Sequence, residues 1–351
     1  MNAKAFALLM FAPGMVAAQG FAGLGGAAPE YAPVTAPAAL EFPRDHGAHP
    51  AFRIEWWYLT AALTGADGRD YGAQWTLFRQ ATRPGAEAEG WDSAQVWMGH
   101  AGLTTPDRHH FAERFARGGV GQAGVRAAPF EAWIDDWTLR GTGAAADALG
   151  DLSVTARAAD FGFDLAAVTE RPPVPQGLDG FSVKSDGGQA SYYYSQPFYA
   201  VTGVLRVEGA EIAVRGTGWL DREWSSQPLA ADQDGWDWFS LHLDDGARVM
   251  AFRLRGADGG AYVSGTWIAA DGAPTPLGPE RIKLTPRSFA EVAGREVPVA
   301  WRVEIPEFGL AVDTEAVNAQ SWMGTSFPYW EGPIRVDGSH SGRGYLEMTG
   351  Y

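Results

Sequence analysis

The chain has 351 residues, of which 46% are hydrophobic and 13% aromatic, enough for more than one core. Its 42 acidic residues outnumber 27 basic ones, and the formal net charge of −15 argues against binding to nucleic acid or anionic membrane surfaces. The absence of cysteine excludes disulfides, thiol catalysis and cysteine-ligated metals. Fifteen tryptophans exceed what packing needs and favour half-open cavities and ligand walls.

Residues 1–18 have the pattern of a secretory signal peptide. Lys4 provides a positive charge, an apolar run follows, and Val16-Ala17-Ala18 offers small residues for cleavage. A buried N-terminal helix is the alternative interpretation. Residues 19–41 are rich in Gly, Ala and Pro and predict a flexible leader. The mature protein is therefore expected to be exported, either periplasmic or secreted.

Beyond the leader, short apolar or aromatic runs alternate with turns, which predicts an all-β fold. Asp67-Gly68, Asp245-Gly246 and Asp271-Gly272 are turn signals between such runs. Short helical turns are compatible with two windows, His109–Arg117 and Pro286–Val292.

Three short blocks occur twice in the same order, which indicates an internal repeat. Their offsets fall along the chain, from 238 − 57 = 181 to 308 − 161 = 147 and 332 − 203 = 129, so the first copy carries insertions. Each copy has the size of a closed up-and-down β-barrel, which can hold a small ligand. The predicted barrels span residues 42–229 and 230–351. The paired blocks are residues 57–63 with 238–243, 157–163 with 302–310, and 203–221 with 332–347.

Several tryptophan-rich motifs, in order, resemble the carotenoid 1,2-hydratase and AttH-like family. The likeness spans residues 42–351 and implies two tandem lipocalin-like antiparallel β-barrels, which agrees with the repeat. The motifs that carry it are Phe42-Pro43-Arg44-Asp45-His46-Gly47-Ala48-His49-Pro50, Glu55-Trp56-Trp57-Tyr58, Gly218-Trp219-Leu220-Asp221-Arg222-Glu223-Trp224-Ser225-Ser226-Gln227, Trp236-Asp237-Trp238-Phe239-Ser240 and Gly344-Tyr345-Leu346-Glu347-Met348-Thr349-Gly350-Tyr351.

The hydratases of this family add water to a terminal isoprenoid double bond, and the resemblance implies that Asp221 is the proton donor. Arg222 stands where the hydratases tend to have His, and Trp219 stands where they tend to have Tyr. Fold alone does not fix function, so these departures leave the activity open.

Asp221 and Glu223 are the candidate catalytic residues. At i and i+2 of a strand, their carboxyls face one side and Arg222 faces the other. Two carboxyls in an aromatic pocket raise one pKa, and the resulting neutral acid can protonate a double bond while aromatic rings stabilise the carbocation. The alternative is structural, a strand-end cap or a pair with arginine. Glu347, at the position equivalent to Asp221 in the repeat, favours the structural alternative.

Along Glu55-Trp56-Trp57-Tyr58, alternation places Trp56 and Tyr58 on one face and Glu55 and Trp57 on the other. This pattern fits a ligand wall with a polar anchor. It equally fits a tryptophan that closes the barrel beside a buried ion pair.

Several polar side chains in apolar surroundings need partners. Glu55 would need Arg53 or Arg79. His100, in an apolar strand, is either a hydrogen-bonded core residue or part of a pocket lining. Residues 45–49 contain two histidines and an aspartate, which could ligate zinc. Gly47, Ala48 and Pro50 remove the helical geometry of many zinc sites. The preferred interpretation is a loop that closes the barrel mouth or the interdomain cleft.

The sequence thus predicts an apolar small-molecule ligand of isoprenoid, polyene or lipid type, with no metal, cofactor or nucleic acid. Acid-catalysed hydration or isomerisation, passive ligand carriage, and an accessory role beside an ABC-type membrane transporter are the competing functions. Filled barrels and an exposed apolar patch would favour the last. The predicted ligand-binding residues are Glu55, Trp56, Trp57, Tyr58, His100, Trp219, Trp224 and Trp238.

Overall fold

The computed structural model describes residues 24, 26–85, 88–143 and 149–351, and it is 60% strand and 3% helix. The all-β prediction is confirmed. The predicted signal peptide lies outside the described residues. Part of the predicted leader contacts the first sheet, because Tyr31 Oη donates to the carbonyl of Ala81 at 3.0 Å. Within these ranges, no helix has both the length and the apolar character to cross a membrane.

The first antiparallel sheet curls into a nearly closed barrel. Its order in the described residues is β4-β3-β2-β1-β13-β12-β9-β8-β7-β6-β5, with β10 and β11 beside β12. The strands are β1 (Ile54–Gly65), β2 (Asp70–Ala81), β3 (Gln95–Thr104), β4 (His109–Arg117), β5 (Ala123–Ala127), β6 (Phe130–Ile134), β7 (Trp137–Gly141), β8 (Asp151–Arg157), β9 (Phe161–Val168), β10 (Val174–Pro175), β11 (Phe181–Val183), β12 (Ala190–Val207) and β13 (Ala210–Ser225).

The second antiparallel sheet forms a half-barrel. Its order in the described residues is β17-β16-β15-β14-β23-β22-β20-β19-β18, with β21 beside β22. The strands are β14 (Gln233–Leu243), β15 (Arg248–Gly256), β16 (Ala261–Ile268), β17 (Pro274–Leu277), β18 (Lys283–Val292), β19 (Arg295–Ile305), β20 (Leu310–Ala316), β21 (Trp322–Met323), β22 (Tyr329–Gly338) and β23 (Gly342–Thr349). Short 3₁₀ turns are described at Arg44–His46, Gly90–Asp92 and Pro306–Phe308.

The three Asp-Gly turn signals are confirmed, because each lies between two paired strands. Gly68, Gly246 and Gly272 have φ values of 78°, 97° and 97°, a region that glycine enters without steric cost. The two helical windows were wrong. His109–Arg117 is strand β4 and pairs with β3, while Pro286–Val292 lies within β18 and pairs with β19.

The repeat is confirmed as two related sheets, but the first block is shifted by one residue. Trp57 belongs to the packed interior of the first barrel, whereas Trp238 faces away from the interior of the second. Trp57 and its cross-strand partner Leu77 lie in the first interior, as Phe239 and its partner Ala251 lie in the second. Trp57 therefore corresponds to Phe239, with an offset of 239 − 57 = 182. Shifting the alignment of two strands by one residue exchanges their two faces, so the shift matters for which residues point into a barrel.

Both barrel interiors are filled with side chains. The first contains buried residues such as Trp57, Trp75 and Trp137, and the second contains Phe239 and Trp301. A third apolar cluster lies between the sheets and takes residues from both. Because the interiors are packed, space for a ligand has to be sought between the sheets.

Candidate functional site

The two sheets face each other across a cleft with about 730 Å³ of empty space, part of which is open to solvent. The first sheet contributes Ile54, Trp56, Tyr58, Phe78, Asp221 and Glu223. The second contributes Trp236, Trp238, Phe252, Leu254 and Glu347. Leu24, Lys184, Pro228 and Leu229 come from connecting segments. The lining is therefore mostly apolar and aromatic, with three carboxyls and one lysine, as in many small-molecule sites.

Strand alternation explains how one strand serves both a barrel core and the cleft. On β1, Trp57 and Leu59 point into the first barrel, and Trp56 and Tyr58 point into the cleft. Both faces of β1 are buried, so the strand reads as a nearly continuous apolar run.

Asp221 on β13 is the most strongly hydrogen-bonded carboxyl of the cleft. It accepts from Tyr193 Oη at 2.6 Å, Ser195 Oγ at 2.5 Å and Trp219 Nε1 at 2.6 Å. Burial disfavours the charged form, whereas the three donors favour it. Burial prevails and raises the pKa of Asp221 to about 7, so the group can hold or release a proton near neutrality.

Glu223, two residues along the same strand, is an ion-paired carboxylate. Its Oε1 lies 2.8 Å from Lys184 Nζ, and the Ser191 hydroxyl donates to the same oxygen. The Lys184 ammonium also lies 4.2 Å from the ring centroid of Phe252, on the opposite sheet. Lys184 thus contacts both walls of the cleft.

Glu347 on β23 faces the cleft from the second sheet. Its Oε1 accepts from Trp236 Nε1 at 2.7 Å. Burial, with contributions from the charges of Asp221 and Glu223, raises the pKa of Glu347 to about 7. Each sheet therefore presents one carboxyl that can be neutral or ionised at physiological pH.

The strand register identifies which carboxyls are equivalent. Trp56 lies opposite Glu223 in the β1–β13 pair, and Trp238 lies opposite Glu347 in the β14–β23 pair. Because Trp56 corresponds to Trp238 in the corrected repeat, Glu347 corresponds to Glu223 and not to Asp221. Asp221 has Tyr345 as its counterpart in the second sheet.

The structure brings five of the predicted site residues together in the cleft. They are Trp56, Tyr58, Asp221, Glu223 and Trp238. The prediction that Arg222 faces away from Asp221 and Glu223 agrees with the structure, because Arg222 lies over the ring of Trp57 on the opposite face of the sheet.

The other five predicted residues do not line the cleft. Glu55, Trp57 and Trp224 point towards the interior of the first barrel because they alternate with the cleft residues. Trp219 is fully buried behind Asp221. His100 lies on β3, where it contacts Tyr329 of the second sheet.

Glu55 is the anchor of a buried ion network. It is fully buried, pairs with Arg79, and lies 2.9 Å from Arg222 Nη2 and 3.0 Å from His49 Nδ1. Burial opposes its ionisation, but the two arginines and His49 hold the pKa of Glu55 below its ordinary range. Of the expected partners, Arg79 is confirmed and Arg53 instead donates to backbone carbonyls. This favours the structural interpretation of Glu55.

Sequence reasoning missed several residues that shape the cleft, among them Tyr193, Ser195, Phe252 and Lys184. Tyr193 and Ser195 alternate on β12 beside Asp221, but many strands here share that pattern. Phe78 and Phe252 lie opposite the predicted residues Trp56 and Trp238 on the neighbouring strands, and this equivalence in the repeat was the signal for them. The one available signal for Lys184 was rarity, because the sequence has only three lysines.

Comparisons with known proteins place this chain in a family. A family model described as AttH-like matches residues 33–351. The chain belongs to the AttH-like family. The resemblance noted from the sequence motifs is thereby confirmed.

Solved structures agree with this assignment. A crystal structure of an AttH protein from Nitrosomonas europaea has 34% sequence identity and a TM-score of 0.80, and the match covers 91% of this AttH-like chain and 99% of that chain. The kievitone hydratase of Nectria haematococca has 15% identity and a TM-score of 0.67, with 91% and 96% covered, and shares the fold. A search of curated proteins found no match.

Proposed function

We propose that this AttH-like protein binds an unsaturated, predominantly apolar ligand in the cleft and that Asp221 protonates it. The observation that carries the proposal is a carboxyl of pKa about 7 in an aromatic cleft. Protonation of a carbon–carbon double bond needs an acid that is neutral at working pH, and few aspartates meet that condition.

The proposed reaction is a hydration. The Asp221 proton forms the new C–H bond while the π bond breaks, which leaves a carbocation on the neighbouring carbon. The ring faces of Trp56 and Trp238 stabilise that charge. Water then forms the C–O bond and loses a proton to Glu347 on the opposite wall. The product is an alcohol, with Asp221 ionised and Glu347 protonated.

A second function, passive carriage of the ligand, is supported by the same site. Asp221 accepts three hydrogen bonds and Glu223 has a cationic partner, so both buried carboxyls have the partners that they need for stability. Neither needs a catalytic role to explain its presence. A carrier needs only the apolar lining. The two proposals differ in whether the bound molecule changes.

The test is mass spectrometry of small molecules extracted from the protein purified from its native source, beside Asp221→Asn. Enrichment of an unsaturated compound on the variant and of its hydrated form on the unchanged protein supports catalysis. The same compound on both supports carriage. Asp232→Asn, at an exposed site, is the matched control and should behave as the unchanged protein. No ligand on any of the three counts against both functions.

Export to the periplasm or medium, and association with an ABC-type membrane transporter, are separate proposals. Export rests on the sequence pattern of residues 1–18. N-terminal sequencing of the mature protein tests it, and a start near Gln19 is the expected result.

Co-purification with membrane proteins after cross-linking tests the association with a transporter.

A further inference from the structure

Behind the cleft, buried titratable side chains continue across the interface between the sheets. Tyr58 Oη donates to Glu331 Oε1 at 2.8 Å, and the Tyr58 hydroxyl also interacts with the Glu347 carboxyl. Glu331 is fully buried next to Glu347 in the β22–β23 pair. Glu347, Tyr58 and Glu331 therefore lead from the cleft into the interface.

A second row leads from the interface to the surface. The Tyr329 hydroxyl lies 2.9 Å from His100 Nδ1, and His100 Nε2 lies 3.0 Å from Glu113 Oε1. The Glu113 side chain is 18% exposed and accepts hydrogen bonds from Ser326. Because the Glu113 carboxylate can only accept, the His100 proton lies on Nε2, and Nδ1 accepts from Tyr329.

The two rows meet at Tyr329 and Glu331, which point to the same side of β22. Two buried oxygens at this junction, Glu331 Oε2 and Gln74 Oε1, have no hydrogen-bond partner among the described residues. Gln74 Nε2 donates to Tyr329 Oη at 3.3 Å, so Gln74 belongs to the same junction. Buried polar atoms of this kind are commonly satisfied by bound water.

We propose that a water molecule bound between Glu331 and Tyr329 completes a proton relay from Glu347 in the cleft to Glu113 at the surface. The relay crosses the interface between the sheets three times, from Glu347 to Tyr58, from Tyr58 to Glu331 and from Tyr329 to His100. It gives His100 a role as a proton carrier and not as a ligand contact.

Each group of the relay receives one proton and passes one on. Glu347 gives its proton to the Tyr58 oxygen, and the Tyr58 proton moves to Glu331 Oε1. The proton on Glu331 Oε2 passes to the water, and a water proton passes to the Tyr329 oxygen. The Tyr329 proton moves to His100 Nδ1, and the Nε2 proton leaves through Glu113 to solvent.

The purpose of the relay, removal of the proton that Glu347 takes from water, rests on the proposed function. After hydration, Glu347 holds a proton that it must lose while an apolar product still fills the cleft and excludes bulk water. A route behind the cleft removes that proton without opening the front.

Hydrogen–deuterium exchange of the Glu331 carboxylic acid, followed by infrared spectroscopy, tests the relay without any ligand. The C=O band of Glu331 is assigned by its loss in Glu331→Gln. Tyr58→Phe removes the cleft-side route, so Glu331 then exchanges through His100. Adding His100→Gln should slow exchange at least tenfold.

The glutamine is chosen because it can keep both hydrogen bonds of His100 and yet cannot be protonated. A purely structural role of His100 is therefore preserved, and only proton transfer is lost. His109→Gln in the same background is the control, because His109 is half-buried on the next strand and its ring nitrogens contact Thr104 and Met323, which are not members of the relay. It should leave the exchange rate unchanged.

Equal exchange rates with and without His100→Gln would overturn the relay, as would the lack of a protonated Glu331 band. A high-resolution crystal structure of the unchanged protein gives a second test if the variants fail to fold. Water within hydrogen-bonding distance of Glu331 Oε2 is expected, and a dry junction overturns the proposal. Neither result depends on the Asp221→Asn experiment, so the relay and the hydration can fail separately.

Discussion

Trp238 of the second sheet donates a hydrogen bond from Nε1 to the Tyr193 hydroxyl of the first sheet, at 3.1 Å. The same hydroxyl donates to Asp221 at 2.6 Å. The orientation of the candidate acid therefore depends on how the two sheets dock. A site assembled this way is intact only when both copies of the repeat are in place.

Removing the Tyr193 hydroxyl should raise the pKa of Asp221 above about 7. Tyr193→Phe removes one of three donors that favour the carboxylate, and a rise on the order of one unit is expected. NMR titration of carboxyl-labelled aspartate measures it. Tyr192→Phe is the control, because its hydroxyl bonds to Thr35 outside the cleft. A lower pKa in Tyr193→Phe would contradict the assigned donor role.

The two cleft carboxyls should make the protein less stable as the pH rises from 5 to 8. Asp221 and Glu347 have a pKa of about 7 in the folded chain, against ordinary values of 3.8 and 4.5. The native state therefore binds more protons than the unfolded state in this window, and the free energy of unfolding falls with rising pH by a few kcal/mol.

In the double variant Asp221→Asn/Glu347→Gln, the free energy of unfolding measured in urea should decrease much less between pH 5 and pH 8. Histidines with lowered pKa values act in the opposite direction below about pH 6.5, so the difference between the two proteins is the quantity to compare. These histidines are His100, His109 and His242. Parallel pH profiles would show that neither carboxyl has a raised pKa.

Lys184→Met should destabilise the protein by about 3 kcal/mol or more, because Glu223 is left as a buried charge without its cation. The double variant Lys184→Met/Glu223→Gln should recover at least half of the loss. Lys283→Met, at an exposed position, is the control and should change the free energy of unfolding by less than about 0.5 kcal/mol. An additive double variant would show that the two side chains are not coupled.

Glu55→Gln should cost about 3–5 kcal/mol, because it leaves two buried arginines, Arg79 and Arg222, without their shared carboxylate. Asp70→Asn removes a carboxylate from a more exposed pair with Arg335 and should cost about 1 kcal/mol or less. Chemical unfolding of both variants measures the contrast. Similar losses would show that burial does not distinguish the two networks.

The sequence was sufficient to predict the all-β fold and which neighbouring residues share a face of a strand. Alternation separated Trp56 and Tyr58 from Glu55 and Trp57, and placed Asp221 beside Glu223. Alternation could not show which face of β1 points into a barrel, because both faces are buried. One face packs in the barrel core and the other in the interface between the sheets. Hydrophobicity alone does not distinguish these two kinds of burial.

Contacts between distant segments were beyond sequence reasoning. Lys184 reaches Glu223 from a connection between β11 and β12, and no local pattern marks that approach. Glu347 was noticed through the repeat but matched to the wrong residue, because similar letters aligned Gly-Trp-Leu-Asp with Gly-Tyr-Leu-Glu. The strand register, which depends on hydrogen bonding, assigned it to Glu223.

The equivalence of Glu223 and Glu347 has an evolutionary consequence. Two identical subunits that meet at a twofold axis must carry the same group on both sides of their interface. Joining the copies in one polypeptide removes that constraint, so each side can change alone. Here the two equivalent glutamates have different partners, a lysine ammonium for Glu223 and the indole N–H of Trp236 for Glu347.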